Sequence, residues 1–397
     1  MRSMAKQLLV HISRPRAFAA IACMAFSLIP AMHAQPPPAT QPLPTPSTTG
    51  PLQTAAPATI NAGPLGTLEV TGLVSGLALA QQNHLPGDKS PHLDLSNGQV
   101  FLQKTEGWWQ FYVQAGAYTI PALGVAYYAT VDTVRDFYGP LPVSYLKLAP
   151  SKNVSVLAGL LPTLFGAEST FTFQNMNIEP GLLWNQENAV NRGVQVNGSL
   201  GKWSASLSWN DGFYSDRFTW LSGSLSYAFN GANTLAFVAG ANLGQTAFRS
   251  LPTPVQNNSS IYDVIYTYSA GRWMLQPYFQ YTDVPTNAKA GIAKGAATSG
   301  GAVLATYKFR DHFWLGGRGE YISATGSAAG GAVNLLYGPG SAAWSLTVTP
   351  TYQNHGFFLR GDISVVSALR YTPGAAFGPA GSSSTQPRAA VEAGVMF

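Results

Sequence analysis

Outside its first 34 residues the sequence has no apolar run as long as the roughly 18 residues that a membrane-spanning helix needs. Beyond residue 65 it instead alternates apolar and polar residues, which is the period of a β-strand with two unlike faces. "WSASLSWND" sets Trp203, Ala205, Leu207 and Trp209 against Ser204, Ser206, Ser208 and Asn210. "IYDVIYTYSA" sets Tyr262, Val264, Tyr266 and Tyr268 against Asp263, Thr267 and Ser269. "FFLRGDISVV" sets Phe357, Leu359, Ile363 and Val365 against Arg360, Asp362 and Ser364. A soluble barrel or sandwich turns such apolar faces inward, whereas an outer-membrane barrel turns them to lipid and keeps the polar faces in the lumen. Charged residues make up only 10% of the chain, too few for the surface of a soluble β-domain. The repeating region is also longer than one soluble sandwich needs.

Connection lengths decide further. Short turns fall at 106–107, 150–152, 201, 230–232, 271, 310–311 and 354–355. Longer polar or Gly/Pro-rich stretches lie between them at 81–97, 119–141, 162–188, 213–216, 246–258, 284–298, 325–341 and 369–387. Short turns alternating with long loops are the topology of a transmembrane up-and-down antiparallel barrel. The count predicts an all-β barrel of about 16 strands, with 14 or 18 as alternatives, running from 66–80 to 388–397. Trp108, Trp109, Trp203, Trp273 and Trp314 each follow a short turn closely. Trp belongs where an apolar ring and a polar N–H meet lipid and water, so these five are expected to form a girdle at the periplasmic rim.

Residues 1–34 carry Arg2, Lys6, Arg14 and Arg16, no acid, and the apolar run "AFAAIACMAFSLIPAM", which reads as a signal peptide cut after Ala34. Cys23, the single cysteine, would leave with it, which suits an oxidising exported compartment. The whole chain has 22 basic and 17 acidic residues; without the leader's four basic residues 18 face 17. The residual charge near +1 gives no reason to expect nucleic acid. Residues 35–64 are rich in Pro, Thr and Ala and read as an extended periplasmic linker. Residues 65–397 form the barrel.

"RAAVEAGVMF" alternates up to Phe397. A terminal aromatic after alternating apolar positions resembles the C-terminal strand that outer-membrane proteins present to the barrel-assembly machinery. Phe397 is expected to anchor that signal, with Val395 as a lipid-facing companion.

The stretch "LAGLLPTLFGAESTFTFQNMNIEPGLLWNQENAVNRGVQVNG" resembles the OmpL-like family of β-barrel porins, through Phe165, Gly166, Ala167, Glu168, Asn175, Asn177, Asn188, Arg192 and Gly193. "RGEYISATG" and "TVTPTYQNHGFFLRGDIS" resemble the family's late strands. The resemblance spans most of 65–397 and implies a channel, without naming a solute.

No GxSxG, CxxC, HExxH or phosphate-binding glycine loop is present, and no cofactor or catalytic group is implied. His84, Asp88 and His92 in the first long loop could meet at a metal, but solvated loop residues are the stronger reading. By alternation the lumen face takes Lys104, Lys147, Asp263, Lys308, Arg318, Glu320, Arg360 and Asp362, with Arg388 and Glu392 on the last strand. Such mixed charge keeps a pore wet and sets ion selectivity. The 162–188 loop is unusually apolar and needs a surface to pack on. It is expected to fold inward as a constriction carrying Glu168, Glu179 and Glu187, with Arg192 at its return, and to set these acids opposite Lys147, Arg318 and Arg360 across the channel. Packing outward, as a lid or subunit contact, is the alternative. The expected function is passive diffusion of small hydrophilic solutes across the outer membrane. A barrel enzyme and a closed structural or adhesive barrel remain as alternatives. Lipid and the assembly machinery are the expected partners, and homo-oligomerisation is left open.

Overall fold

The structure is a computed structural model that describes residues 50–54, 56–244 and 255–397. The leader read over 1–34, residues 35–49 of the Pro-rich stretch and most of loop 246–258 lie outside the described residues. The strands are β1 (Ala58–Asn61), β2 (Thr67–Gln81), β3 (His92–Lys104), β4 (Trp109–Tyr118), β5 (Val143–Ser151) and β6 (Val154–Pro162). They continue with β7 (Val190–Leu200), β8 (Trp203–Asn210), β9 (Trp220–Asn230), β10 (Asn233–Asn242), β11 (Ser260–Ala270) and β12 (Trp273–Val284). The last are β13 (Ala296–Arg310), β14 (Phe313–Ala324), β15 (Ala342–Asn354), β16 (Phe357–Leu369) and β17 (Thr385–Met396).

Strands β2 to β17 pair antiparallel with their sequence neighbours, and β17 closes on β2 from Arg388↔Gln81 to Met396↔Leu73. The result is a closed 16-strand barrel, in which every interior ladder group finds a partner and no sheet edge meets lipid. Strand β1 adds four residues beside the start of β2, from Ala58↔Val70 to Asn61↔Thr67. At one rim six connections are two residues long, among them Asp311–His312 and His355–Gly356. His312 and His355 take φ of 74° and 53°, the left-handed geometry that matches a tight hairpin to strand twist. All the long loops gather at the other rim.

The outward face is apolar and the inward face polar. On β15, Trp344, Leu346, Val348 and Tyr352 are exposed while Ser345, Thr347, Thr349, Thr351 and Gln353 are buried. Aromatic pairs ring the short-turn rim: Trp203 on Tyr227 at 4.6 Å, Trp273 on Tyr307 at 4.5 Å, and Phe309 on Phe313 at 6.2 Å. Trp109 shares this belt, stacked 6.4 Å from Phe111, and Trp108 is exposed in the adjoining turn. Trp314 is a correction to the expected girdle. It shares the inward parity of Gly316, Arg318 and Glu320 and lies 5.8 Å beneath Lys308 Nζ.

Strand β3 begins six residues earlier than the alternation suggests. Leu93 and Leu95 face outward on odd positions, whereas Val100 faces outward on an even one. The register shifts between Ser75 and Gly76, so both Ser96 and Asn97 are buried inside. That bulge breaks the period that marked the strand.

Phe397 continues the closing ladder: its N–H donates to Gly72 O at 2.9 Å and its carbonyl accepts from Gly72 N at 2.6 Å. Its ring lies so close over Gly72 that a Cβ there would meet Phe397 Cε2 at 2.4 Å. Gly72→Val should therefore displace the ring and cost about 1–3 kcal/mol of overpacking. Urea unfolding of the detergent-folded barrel, followed by heat-modifiable mobility, reads this. An unchanged midpoint would show that the seam does not rest on that contact.

Candidate functional site: the lumen and its inward loop

Chain buried inside a barrel cannot use the sheet ladder, and without partners each of its backbone N–H and C=O groups costs free energy. The 163–189 segment between β6 and β7 is in that position. Its Phe165, Met176, Leu182 and Leu183 pack with inward residues such as Ile265, Tyr278, Leu304 and Ile322. Its Phe171 and Phe173 pack on the far side with Leu73, Phe101, Tyr118 and Phe358. The loop thus crosses the lumen and touches opposite walls.

Charged wall residues supply the missing backbone partners. Asp263 accepts from Gly166 N at 3.0 Å, and Asp362 from Ile178 N and Glu179 N at 2.9 and 3.1 Å. Glu320 accepts from Leu182 N and Leu183 N at 2.9 and 3.3 Å. Arg318 donates to Glu179 O at 2.8 Å, and Arg360 to Asn175 O and Thr172 O, both at 2.8 Å. Ion pairs complete the set: Arg318 with Glu168 at 2.5 Å, Arg360 with Glu392 at 2.7 Å, and Arg388 with Glu179 at 2.7 Å. Their side chains are at most 1% exposed. Glu168 also takes Gly181 N within the loop at 2.9 Å.

These contacts revise the expected arrangement of charge. Glu168 and Glu179 do not look across water at Lys147, Arg318 and Arg360; they touch Arg318 and Arg388 directly. Glu187 accepts from Gln280 Nε2 at 2.7 Å. Burial, reinforced by neighbouring Asp263, pushes the Glu187 carboxyl well above the ordinary range. Arg192 is not part of the loop's charge set. Alternation turns Asn191, Gly193 and Gln195 inward, so Arg192 falls on the other face, bonded to Asp211 at 2.8 Å and stacked 4.1 Å from the Tyr214 ring. Lys104 shares the outward parity of Val100 and Leu102. Its Nζ reaches the carbonyls of Glu106 and Trp109 at the rim, because an ammonium at the end of an apolar face needs oxygen partners. Lys308 has inward parity, but at the rim, and pairs with Asp311 at 3.0 Å.

Lys147 lies on the inward face of β5, partly exposed. Beyond it the loop leaves a row of partly exposed small polar residues on β6 to β9. Ser155 pairs across the ladder with Asn197, Asn197 with Ser206, and Ser206 with Ser224. Ser206 Oγ donates to Asn197 Oδ1 at 2.8 Å. Two features escaped the sequence reading. The described end of the Pro-rich stretch enters the barrel, where Leu52 is fully buried against Phe173 and Phe358 and Gln53 exchanges hydrogen bonds with Gln353 at 2.7 and 2.8 Å. The second is a cavity of 390 Å³ under the long loops. Where the first long loop enters β3, His92 meets Asp88 at 3.1 Å and its ring lies tilted over Tyr127. Among the described residues no group of three metal-binding side chains forms.

The closed 16-strand barrel with an apolar exterior and an inward loop defines an outer-membrane β-barrel protein. The family model described as putative beta-barrel porin-2, OmpL-like, matches residues 67–397, and the chain belongs to that family. No curated protein sequence matches it. Among solved structures, the outer membrane channel DcaP of Acinetobacter baumannii is similar at 10% identity and a TM-score of 0.57, over 86% of this chain and 100% of that one. In-vitro folded OmpT, an outer membrane protein of Vibrio cholerae, is similar at 12% identity and a TM-score of 0.56, with 86% and 100% covered. At these identities the likeness is one of fold.

Arg318→Met should leave Glu168 buried without its cation, a loss of about 3–5 kcal/mol. Adding Glu168→Gln should recover more than half of it. Denaturant unfolding with proteolysis inside 163–189 measures both, and an Arg318→Met protein as stable and as protease-resistant as the parent would contradict the pinning described.

Proposed function

We propose that the protein is a porin, a passive channel for small hydrophilic solutes, whose water-filled passage runs along the inward face of β5 to β9. The observation that carries this reading is the partly exposed row Ser155, Asn197, Ser206 and Ser224 beside Lys147. Hydroxyl and amide side chains keep such a wall wet and replace part of a solute's hydration without holding it tightly. Family membership supports the same reading.

Within it the 163–189 loop is the constriction. Glu168 and Glu179 are neutralised by Arg318 and Arg388, and burial favours the uncharged form of Glu187, so the field felt by a permeating ion comes chiefly from Lys147. This changes what selectivity variants should do. Glu168→Gln alters loop stability more than ion preference, whereas Lys147→Glu reverses the sign of the exposed charge.

Planar-bilayer recording tests the proposal. The parent should give stable single-channel steps. Deletion of residues 170–182 should raise the conductance severalfold, and Lys147→Glu should move the reversal potential towards cations. A folded protein that gives no conductance would refute the channel, in favour of a barrel enzyme or a closed structural or adhesive barrel. Unchanged conductance in the deletion would remove the constriction.

A further inference from the structure

Residues 50–53 lie inside the barrel near the short-turn mouth, against the inward loop. Leu52 is fully buried and shares one apolar cluster with Phe173 of the loop, Phe358 at the start of β16, and Leu73 and Met396 at the closing seam. Gly50 N donates to Gln174 O in the loop at 2.7 Å. A Cβ on Gly50 would stand 2.2 Å from Asn175 O and 2.8 Å from Met176 N, so only glycine lets the two backbones come this close. Gln53 is tied to β15 by its exchange of hydrogen bonds with Gln353, whose Nε2 also donates to His355 O in the short turn at 3.3 Å. The segment thus runs from the wall at the mouth to the 174–176 part of the loop.

We propose that residues 50–53 form a releasable strap that sets the state of the channel. Seated, it holds the 171–176 part of the loop against β15 and β16 and fixes the constriction. Released, it frees that part of the loop and lets the passage widen. Three features make release possible. Closure of the barrel runs from β17 to β2 without these residues, so the strap can leave while the wall stays shut. Its bonds through Gly50 and Gln53 join neutral groups, whereas the loop is held to the wall by charge-assisted ones. Burying one leucine gains free energy of the same order as ordering a few residues costs, so the seated and released positions lie close together. The strap's partners are on β2, β15, β16 and β17, away from the polar row of β5 to β9. It therefore acts on the passage through the loop, not by filling the passage.

The effect on current rests on the porin reading; the hold on the loop does not, and the two are measured separately. Gly50→Ala adds one methyl that the seated strap cannot fit and the released strap can. In detergent-folded protein it should speed hydrogen–deuterium exchange across 171–176 about tenfold, with β15 to β17 unchanged. Leu52→Ser should do the same, and Thr54→Ala, at an exposed position, should not. In bilayers Gly50→Ala should spend more time at a level of higher conductance than the parent. Cysteines at 53 and 353, joined by a short thiol-to-thiol linker, should abolish that level until the linker is reduced. Unchanged exchange in Gly50→Ala, exchange that rises equally in every strand, or folded protein whose two cysteines do not join would overturn the strap. Faster exchange with the parent's pattern of current would overturn its control of the channel. Faster exchange in a protein that never conducts would leave the strap and remove the porin.

Discussion

The structure depends on one requirement: a length of irregular chain inside a barrel must find hydrogen-bond partners where neither a sheet nor bulk water supplies them. The barrel wall meets it with charge. Three wall carboxylates, on Asp263, Asp362 and Glu320, accept from five loop N–H groups, the loop's own Glu168 accepts from a sixth, and three guanidiniums, on Arg318, Arg360 and Arg388, donate to carbonyls and close the ion pairs. Charge-assisted bonds are short and directional, and in a water-poor interior they lose little to screening. Buried ion pairs contribute little net stability when replaced whole, but they are costly to break singly. The network therefore fixes where the loop sits more than it raises overall stability.

The fixed loop divides the lumen. From β11 round through β17 to β4 it packs against the wall through aromatic and aliphatic side chains and the charged network. Towards β5 to β9 the small polar face stays open. The buried N-terminal residues around Leu52 lie next to Phe173 and Phe358 and so support the loop from its other side. Where the alternation reads polar, the wall thus serves two purposes: charged residues hold the loop, and serines and asparagines border the space left free.

Much of this was legible in the sequence, for a physical reason: in a barrel the two faces of every strand meet different solvents, so period-2 alternation and alternating connection lengths write the topology directly. All sixteen expected segments are strands of the barrel. The early start of β3 was hidden because the Ser96/Asn97 bulge inverts the alternation halfway along it. Lys104 and Trp314 misled because strand ends at a rim obey local partners rather than facial chemistry. Arg192 misled because nearness in sequence to the loop does not fix a face. The pairing of Glu179 with Arg388 joins residues 209 positions apart, which no local pattern records. Leu52 was lost within a Pro-rich stretch whose composition alone reads as linker.

The placement of the loop is the central claim, and cross-linking tests it most directly. Asn177 Nδ2 lies 2.6 Å from Thr349 Oγ1 on β15, and both residues are buried. Cysteines placed at these two positions and treated with a short thiol-to-thiol linker in native outer membranes should join almost completely, giving a barrel whose mobility changes on reduction. Protein that shows the folded, heat-modifiable mobility yet does not cross-link would place the loop outside the lumen and contradict the account.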